Sequence, residues 1–161
     1  MKRKVLVLTI AIAFLLAAPL ANAQDGTTSA SMVVDQESLM NAAAEDGSWI
    51  LIIEQDLSVD EEIVLAGEHT NRDEVDRKLA LYEQDSERNV TARYTLEAPR
   101  ITVKSPNTRF QSGTFVGDVY VESNNFALRD FTVEGNVYFA NEEAKNTFTI
   151  SDGAMVTGSL E

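Results

Sequence analysis

The sequence predicts an all-β fold, a small single-domain β-solenoid built from coils of about 18 residues. The main observation is internal repetition, because residues 101–118 align without a gap on residues 119–136. The second is that apolar residues alternate over short stretches within each copy, as in Val119-Tyr120-Val121, with Ser-Asn-Asn and Gly-Asn between them. Short alternating strands that are joined by tight turns and recur at a fixed period are typical of a solenoid.

The two copies agree in side-chain size, polarity and turn residues. The matching pairs are Ile101 with Val119, Val103 with Val121, Ser105 with Ser123, Asn107 with Asn125, Phe110 with Leu128, Phe115 with Val133, Gly117 with Gly135 and Asp118 with Asn136. We expect the apolar pairs to stack inward as ladders, with equivalent residues roughly 4.8 Å apart. A third, looser copy begins at residue 137 and gains about four residues around 141–146. An antiparallel sandwich would also have short alternating strands, but it does not predict recurrence at matching positions.

Residues 1–23 have the features of a cleavable signal peptide. Three basic residues at positions 2–4 precede the apolar stretch 5–16, and small residues follow at positions 21 and 23. The sequence therefore predicts cleavage between Ala23 and Gln24 and a secreted protein of the periplasm, the cell surface or the extracellular space. A membrane anchor is disfavoured because the apolar stretch is shorter than the roughly 20 residues that span a bilayer, so we expect no membrane insertion after cleavage.

The chain is acidic, with a formal net charge of −13 at pH 7, and removal of the basic signal peptide would deepen this to −16. Such a surface repels nucleic acid and anionic lipid, which excludes both as expected partners. It is compatible with solubility or with attraction of divalent cations or basic surfaces. The chain has no cysteine, so its stability must come from one apolar core.

Composition divides the mature chain into a flexible N-terminus (24–34) and a β-solenoid domain (35–161). Within the domain we expect a short capping helix at 35–46, a charged insertion with a hairpin at 67–98 and regular coils at 101–161. His69 lies in the charged insertion, where the sequence predicts that it is exposed to solvent.

The order of a short helix, an apolar strand after a glycine turn, and units such as NNFALRDFTVEGN at 124–136 resembles the right-handed parallel β-helices of the pectin-lyase-like superfamily. The resemblance covers about residues 38–161 and implies a right-handed parallel β-helix. It does not imply one function, because this architecture serves lyases, hydrolases, adhesins and passive stalks. The segments GDVYV and GNVYF are also similar to the coils of bactofilins, which implies self-association at most.

Two tyrosines are the strongest candidates for ligand binding. The 18-residue register places Tyr120 beside Tyr138 on the outside of the solenoid, with Thr102 on the preceding coil and Glu122 and Lys104 flanking them. Stacked exposed tyrosines predict a platform for a sugar ring. The alternative is that they only stack on each other or pack under the insertion at 141–145.

Four turn residues are predicted to form structural ladders rather than a site, namely Asp118 above Asn136 and Asn107 above Asn125. No general acid and base can be placed together, since Arg129 and Asp130 are adjacent in sequence and tend to point apart. With one histidine and no cysteine the sequence predicts no zinc site. Oxygen ligands at Asp56 and 60–62, or at Asp152, would suit Ca²⁺, but neither stretch has the spacing of a calcium loop. We therefore expect no cofactor.

Three hypotheses about function follow. The first is a secreted, non-catalytic envelope or surface protein that binds a glycan or a protein partner. The second is a self-assembling structural protein that forms homo-oligomers through its C-terminal edge. The third is a polysaccharide lyase-like enzyme that uses Arg129.

Overall fold

The computed structural model describes residues 29–161. Within them the fold is mostly β, and an 11-stranded parallel sheet curls into a half-barrel around the hydrophobic core. The all-β class expected from the sequence is therefore confirmed. The predicted signal peptide and its cleavage site at Ala23 and Gln24 lie outside the described residues. None of the helices in residues 29–161 is long and apolar enough to cross a bilayer.

The described residues form strands and two helices whose bounds, in chain order, are β1 (Ala30–Val33), α1 (Gln36–Ala43), β2 (Ile50–Ile53), β3 (Leu57–Ser58), β4 (Ile63–Leu65), β5 (Thr70–Asn71), β6 (Glu74–Val75), β7 (Arg77–Ala80), β8 (Tyr82–Gln84), β9 (Val90–Arg93), β10 (Thr95–Val103), β11 (Thr108–Val121), β12 (Ala127–Glu134), β13 (Val137–Phe139), α2 (Glu142–Thr147), β14 (Thr149–Ser151) and β15 (Met155–Val156).

The main sheet consists of three stacks of parallel strands. The first stack contains β1, β2, β7, the start of β11, the start of β12 and β14. The second contains β3, the start of β10, the middle of β11, the end of β12 and β15. The third contains β4, the end of β10, the end of β11 and β13. Strand β11 runs through all three, and it turns at Ser112 (φ 54°) and Gly117 (φ 140°).

Strand pairing follows the 18-residue register that the repeat predicts. Ile101 pairs with Val119, Val119 pairs in turn with Val137, and Phe110 pairs with Leu128. All five of these side chains are fully buried. Burying one such side chain contributes roughly 1.5–3 kcal/mol relative to leaving it exposed. The inward apolar ladders therefore exist as expected, and they form the core of this cysteine-free chain.

The third copy contains the additional residues that the alignment indicates. Ala127 pairs with Thr149, 22 positions further along the chain. The extra residues form α2, which begins after Asn141, whose side-chain oxygen accepts the Ala144 N–H at 2.9 Å. Ala144 is fully buried and belongs to the core. The insertion thus packs onto the end of the core.

Glycines recur at the turn between the second and third stacks because neighbouring main chains touch there. A Cβ atom added to Gly135 would lie 2.0 Å from the Gly117 carbonyl oxygen, and one added to Gly117 would lie 2.1 Å from the Ala98 carbonyl oxygen. A Cβ atom on Gly158 would meet the Gly135 carbonyl oxygen at 2.4 Å. This close approach, repeated from copy to copy, explains why the repeat has a glycine here.

Helix α1 lies within the range predicted for a capping helix. Its N-cap is Asp35, whose carboxylate accepts the Ser38 N–H at 2.8 Å while the Ser38 hydroxyl accepts the Asp35 N–H at 3.1 Å. The Ser38 hydroxyl, and then the Ser38 N–H, lower the pKa of Asp35 by donating to its carboxylate. The buried residues Leu39, Ala42 and Ala43 face the core. The helix therefore contributes apolar surface to the core beside β1 and β4.

A buried cation, Arg77, closes the C-terminal end of α1. Its Nη2 atom donates to the carbonyl oxygens of Ala42 at 2.8 Å and Ala43 at 3.0 Å, and its Nη1 atom donates to that of Ala66 at 3.0 Å. The last carbonyls of a helix have no intrahelical partner and carry partial negative charge, so a cation is favourable here. Burial lowers the pKa of Arg77 to about 10, and the side chain therefore stays protonated at neutral pH.

The expectation that His69 is exposed to solvent is wrong. Its side chain is 2% exposed, and its Nε2 atom lies 3.0 Å from the Ala66 carbonyl oxygen that Arg77 also contacts. The charged residues around it in the sequence do point to solvent, but the chain folds back here onto the end of α1. Burial, and then the positive charge of Arg77, lower the pKa of His69.

The expectation that residues 24–34 are flexible is wrong for residues 30–33, which form a strand. Residues 30–33 form β1, which pairs in parallel with Ile50–Ile53. The physical reason is that the edge of β2 offers main-chain donors and acceptors, and Val33 gains a buried position, with 1% exposure. Residues 24–28 lie outside the described part.

The range 67–98 contains more regular structure than the expected insertion and hairpin. It has two antiparallel hairpins, β5–β6 and β8–β9, and the second encloses residues 85–89 as the sequence indicates. Between and after them, β7 and the start of β10 belong to the main sheet, where Leu79 and Leu96 are buried. Parallel pairing therefore begins well before residue 101.

We predict that Gly135→Ala destabilises the fold by about 3 kcal/mol, because the new methyl group would overlap the Gly117 carbonyl and force two main chains apart. The control is Gly153→Ala, since a Cβ atom there meets nothing within 4 Å although its φ is +77°; it should cost only about 1 kcal/mol. Urea unfolding of both variants measures the difference. Equal losses would show that main-chain contact at Gly135 is not the cause.

We predict that His69 makes the protein less stable in acid. Because its folded-state pKa is lowered, the unfolded chain binds the proton more readily, and the stabilisation is complete above pH 6.5 and declines as the pH falls below it. Urea unfolding at pH 7.5 and 5.5 should show a larger loss of stability for the wild-type protein than for His69→Gln. Identical losses in the two proteins would refute this.

Candidate functional site

The candidate site is the outer face of the third stack, called here the tyrosine face. Its centre is a column in which Val64 pairs with Thr102, Thr102 with Tyr120, and Tyr120 with Tyr138. Alternate residues of these strands point inward and are buried, so this column points outward. The residues that flank the column on its two sides are Arg100, Asp118 and Asn136, and Lys104 and Glu122. The tertiary structure therefore brings the five predicted ligand-binding residues together, although Thr102 is only 5% exposed.

Tyr120 and Tyr138 stack on each other. Their ring centroids are 4.6 Å apart, with an interplanar angle of 29°. The Arg100 guanidinium lies 4.7 Å from the centroid of the Tyr120 ring. Arg100 comes from β10 and Tyr138 from β13, which flank β11 on opposite sides. Both faces of the Tyr120 ring are therefore covered. Beyond Tyr138, Leu160 pairs with Val137, which places Glu161 beside Tyr138.

A carboxylate holds Arg100 in this position. Arg100 Nη2 donates to Glu62 Oε2 at 2.5 Å, and the Thr102 hydroxyl donates to Glu62 Oε1 at 2.5 Å. The hydrogen bond from Arg100, followed by that from Thr102, lowers the pKa of Glu62, and the same ion pair raises the pKa of Arg100. The two side chains are 42% and 35% exposed, so the pair adds little stability. Its main effect is to orient the guanidinium over the ring.

A small cavity of about 250 Å³ opens beside Tyr120. Its lining residues are Glu62, Pro99, Arg100, Asp118 and Tyr120. This is below the roughly 300–1,000 Å³ of typical small-molecule pockets. The cavity is therefore large enough for one ring or one functional group of a longer ligand, which would extend across the tyrosine face.

Charge on the tyrosine face is mostly paired within the protein. Lys104 and Glu122 form an ion pair at 3.8 Å, and each is about half exposed. Desolvation, and then the negative charge of Asp118, raise the pKa of Tyr138. With Arg100 and Lys104 each beside a glutamate, the carboxylates of Asp118 and Glu161 are left without a cationic partner among residues 29–161. Such a surface favours hydroxyl or cationic ligand groups over carboxylates.

Side chains of the turn residues are hydrogen-bonded from one copy to the next. Asp118 Oδ1 accepts the Asn136 N–H at 2.9 Å, and Asn136 Oδ1 accepts the Ser159 N–H at 2.9 Å. In the other ladder Asn125 Nδ2 donates to Asn107 Oδ1 at 2.9 Å. Both of these asparagines have positive φ, 53° and 60°, which asparagine tolerates better than most residues. These side chains therefore support the turns.

Two site residues were not predicted for this face: Arg100 was not a candidate, and Glu62 was considered only as a possible Ca²⁺ ligand. The repeat could have indicated Arg100, because this residue precedes Ile101 and aligns with Asp118 in the next copy. Glu62 precedes the regular repeat, and only pairing of Ile63 with Ile101 brings it near Arg100. Its contact is therefore decided by tertiary structure.

Other residues considered for chemistry lie apart. Asp130 forms an ion pair with Arg93 at 2.7 Å, while the adjacent Arg129 is exposed. Asp56 accepts the Thr95 N–H at 2.8 Å. Within residues 29–161, no three His, Cys, Asp or Glu side chains form a group that could hold a metal ion.

Comparison with protein-family models, with curated proteins and with solved structures gave no match to this chain. The resemblance to pectin-lyase-like β-helices and to bactofilin coils therefore stays a prediction from the sequence.

Proposed function

We propose that this chain is an exported, non-catalytic β-solenoid protein that binds a glycan through its tyrosine face. The observation that carries the proposal is the outward column of Thr102, Tyr120 and Tyr138 with Arg100 packed on it. Aromatic rings beside fixed polar groups are a common arrangement for sugar recognition, because a sugar ring has apolar C–H faces and polar edges.

The Tyr138 end of the tyrosine stack, beside Glu161, would receive one sugar ring, and the cavity at Asp118 and Arg100 would receive a neighbouring one. The pairing of Arg100 and Lys104 with glutamates favours a neutral glycan. A long ligand would lie across the strands, since the column crosses β4, β10, β11 and β13.

The proposal also includes a right-handed β-helical fold and export of the protein. Parallel stacks with an 18-residue register support a right-handed β-helix with coils of that length. Export is supported by the basic, apolar and small-residue segments of the predicted signal peptide, with cleavage between Ala23 and Gln24.

We predict that a Tyr120→Ala, Tyr138→Ala double variant binds neutral oligosaccharides about 10-fold more weakly than the wild-type protein, because it loses the aromatic surface. Calorimetric titration with cello-, xylo- and chito-oligosaccharides measures this. The control is Tyr82→Ala, which removes a half-buried tyrosine of the β8–β9 hairpin and should leave affinity unchanged. Wild-type protein that binds none of these ligands, or a double variant that binds them equally well, would rule out the proposal.

Self-association is the second candidate function. Strands β14 and β15 pair only with β12 among the described strands, and they carry the exposed apolar side chains of Ile150 (43%) and Met155 (54%). Edge strands with exposed apolar residues favour pairing with another strand. A second copy of the chain could supply it.

We predict that, if copies associate through this edge, an Ile150→Lys, Met155→Lys variant is monomeric at concentrations where the wild-type protein forms larger species. The reason is that two lysines on the edge disfavour strand pairing. Light scattering after size-exclusion chromatography measures the mass. A variant with two lysines on the β8–β9 hairpin, Gln84→Lys and Glu87→Lys, is the control. A wild-type mass that stays monomeric at every concentration would exclude self-association.

A further inference from the structure

A second pocket lies on the first stack, away from the tyrosine face. It has a volume of about 260 Å³ and is named here the Arg129 pocket. Its lining residues are Glu74, Val75, Asp76, Asn107, Thr108, Arg109, Asn125, Ala127 and Arg129. The β5–β6 hairpin supplies one wall, and the starts of β11 and β12 supply the floor.

The main chain of Arg129 lies in a strand of the main sheet, but its side chain has no partner among residues 29–161. Its main chain lies in β12 between Gln111 and Ser151. Within residues 29–161 its guanidinium makes no hydrogen bond, ion pair or ring contact. By contrast, other basic residues are engaged: Arg93 pairs with Asp130, and Lys78 donates to the Tyr82 hydroxyl at 2.7 Å. An unpaired guanidinium in a pocket of so acidic a chain is a candidate ligand-binding group.

Arg109 adds a second cation to the same pocket. It forms an ion pair with Asp76, whose other carboxylate oxygen accepts from Asn71 Nδ2 at 3.2 Å. Because both Asp76 oxygens have protein donors, that carboxylate does not need Arg129. Arg109 uses one terminal nitrogen on Asp76, which leaves further N–H donors. The remaining acidic residue of the lining is Glu74, which is exposed.

The asparagines of the pocket do not compete for these cations. Asn107 Nδ2 donates to the Val75 carbonyl oxygen at 2.8 Å, and Asn125 Nδ2 donates to Asn107 Oδ1. Their amide groups thereby fix the shape of the wall. Two arginines against Asp76 and Glu74 make the lining of this pocket neutral, within a chain of net charge −13.

We propose that the Arg129 pocket binds a carboxylate or phosphate group of a ligand, through the guanidinium groups of Arg129 and Arg109. A guanidinium offers paired N–H donors that match the oxygens of either anion. The volume suits one anionic group with an attached ring. Because both arginines are solvent-accessible, binding weakens as salt rises, and the ligand differs in charge from the neutral glycan proposed for the tyrosine face.

The test is NMR titration of the full chain with three probes at constant ionic strength: glucuronate, inorganic phosphate and glucose. The Nε–Hε resonance of Arg129 should shift saturably with at least one of the two anions and not with glucose. A response to glucuronate alone identifies a carboxylate ligand, and a response to phosphate alone identifies a phosphate ligand; either supports the proposal. A response to neither anion, or an equal response to glucose, overturns it.

Variants distinguish anion binding in the Arg129 pocket from a general effect of the net charge of the protein. Arg129→Ala should weaken anion binding at least 10-fold, as followed by the backbone amides of residues 107–109 and 125–127. Arg88→Ala makes the same charge change at the tip of the β8–β9 hairpin and should leave binding unchanged. Glu74→Gln should strengthen binding several-fold, since it removes the nearest unpaired carboxylate. Equal weakening by Arg129→Ala and Arg88→Ala would show a general charge effect and overturn the proposal. Tyr138→Ala should leave anion binding intact, which keeps this test independent of the glycan proposal.

Discussion

Parallel main-chain hydrogen bonding between residues 18 positions apart is the constraint on which the rest of this structure depends. It places Ile101, Val119 and Val137 over one another in the third stack and Phe110 over Leu128 in the first. Each strand is short, so no single pair of strands buries much apolar surface. The stack as a whole does, because every inward position continues into the next copy. The glycines at 117, 135 and 158 belong to the same constraint, since they let main chains approach where a Cβ atom would collide.

The same register arranges the surface. A side chain that points outward in one copy has its equivalent directly beside it in the next copy. The register alone therefore aligns related side chains in a column on the surface. This is how Tyr120 meets Tyr138, and how Asn107 meets Asn125. It also explains why a stacked column differs from a flat aromatic platform: neighbours in the column cover each other's ring faces. Arg100 completes the column on one side, and Glu62 holds Arg100 there.

In the non-repeating parts, buried polar groups connect segments that are distant in the sequence. Arg77 connects the end of α1 to the Ala66 carbonyl, and His69 packs against that same carbonyl. A buried cation is tolerated because three carbonyl oxygens replace much of its hydration, although its Nε atom has no partner among residues 29–161. This cluster gives the N-terminal half a polar centre where the repeating half has apolar ladders. Its position beside α1 ties the helix to the sheet.

The sequence by itself determined the all-β class, the 18-residue register, the inward ladders, the place of α1 and the neighbourhood of the two tyrosines. It could do so because each of these depends on a pattern that repeats or on local propensity. Only the tertiary structure decided that His69 is buried, that residues 30–33 join the sheet, that Arg100 covers Tyr120 and that Arg129 lacks a partner among residues 29–161. These depend on contacts between segments far apart in the chain, such as Glu62 with Arg100. A contact of that kind leaves no periodic signal, because it is made once and its partners are chosen by the folded geometry.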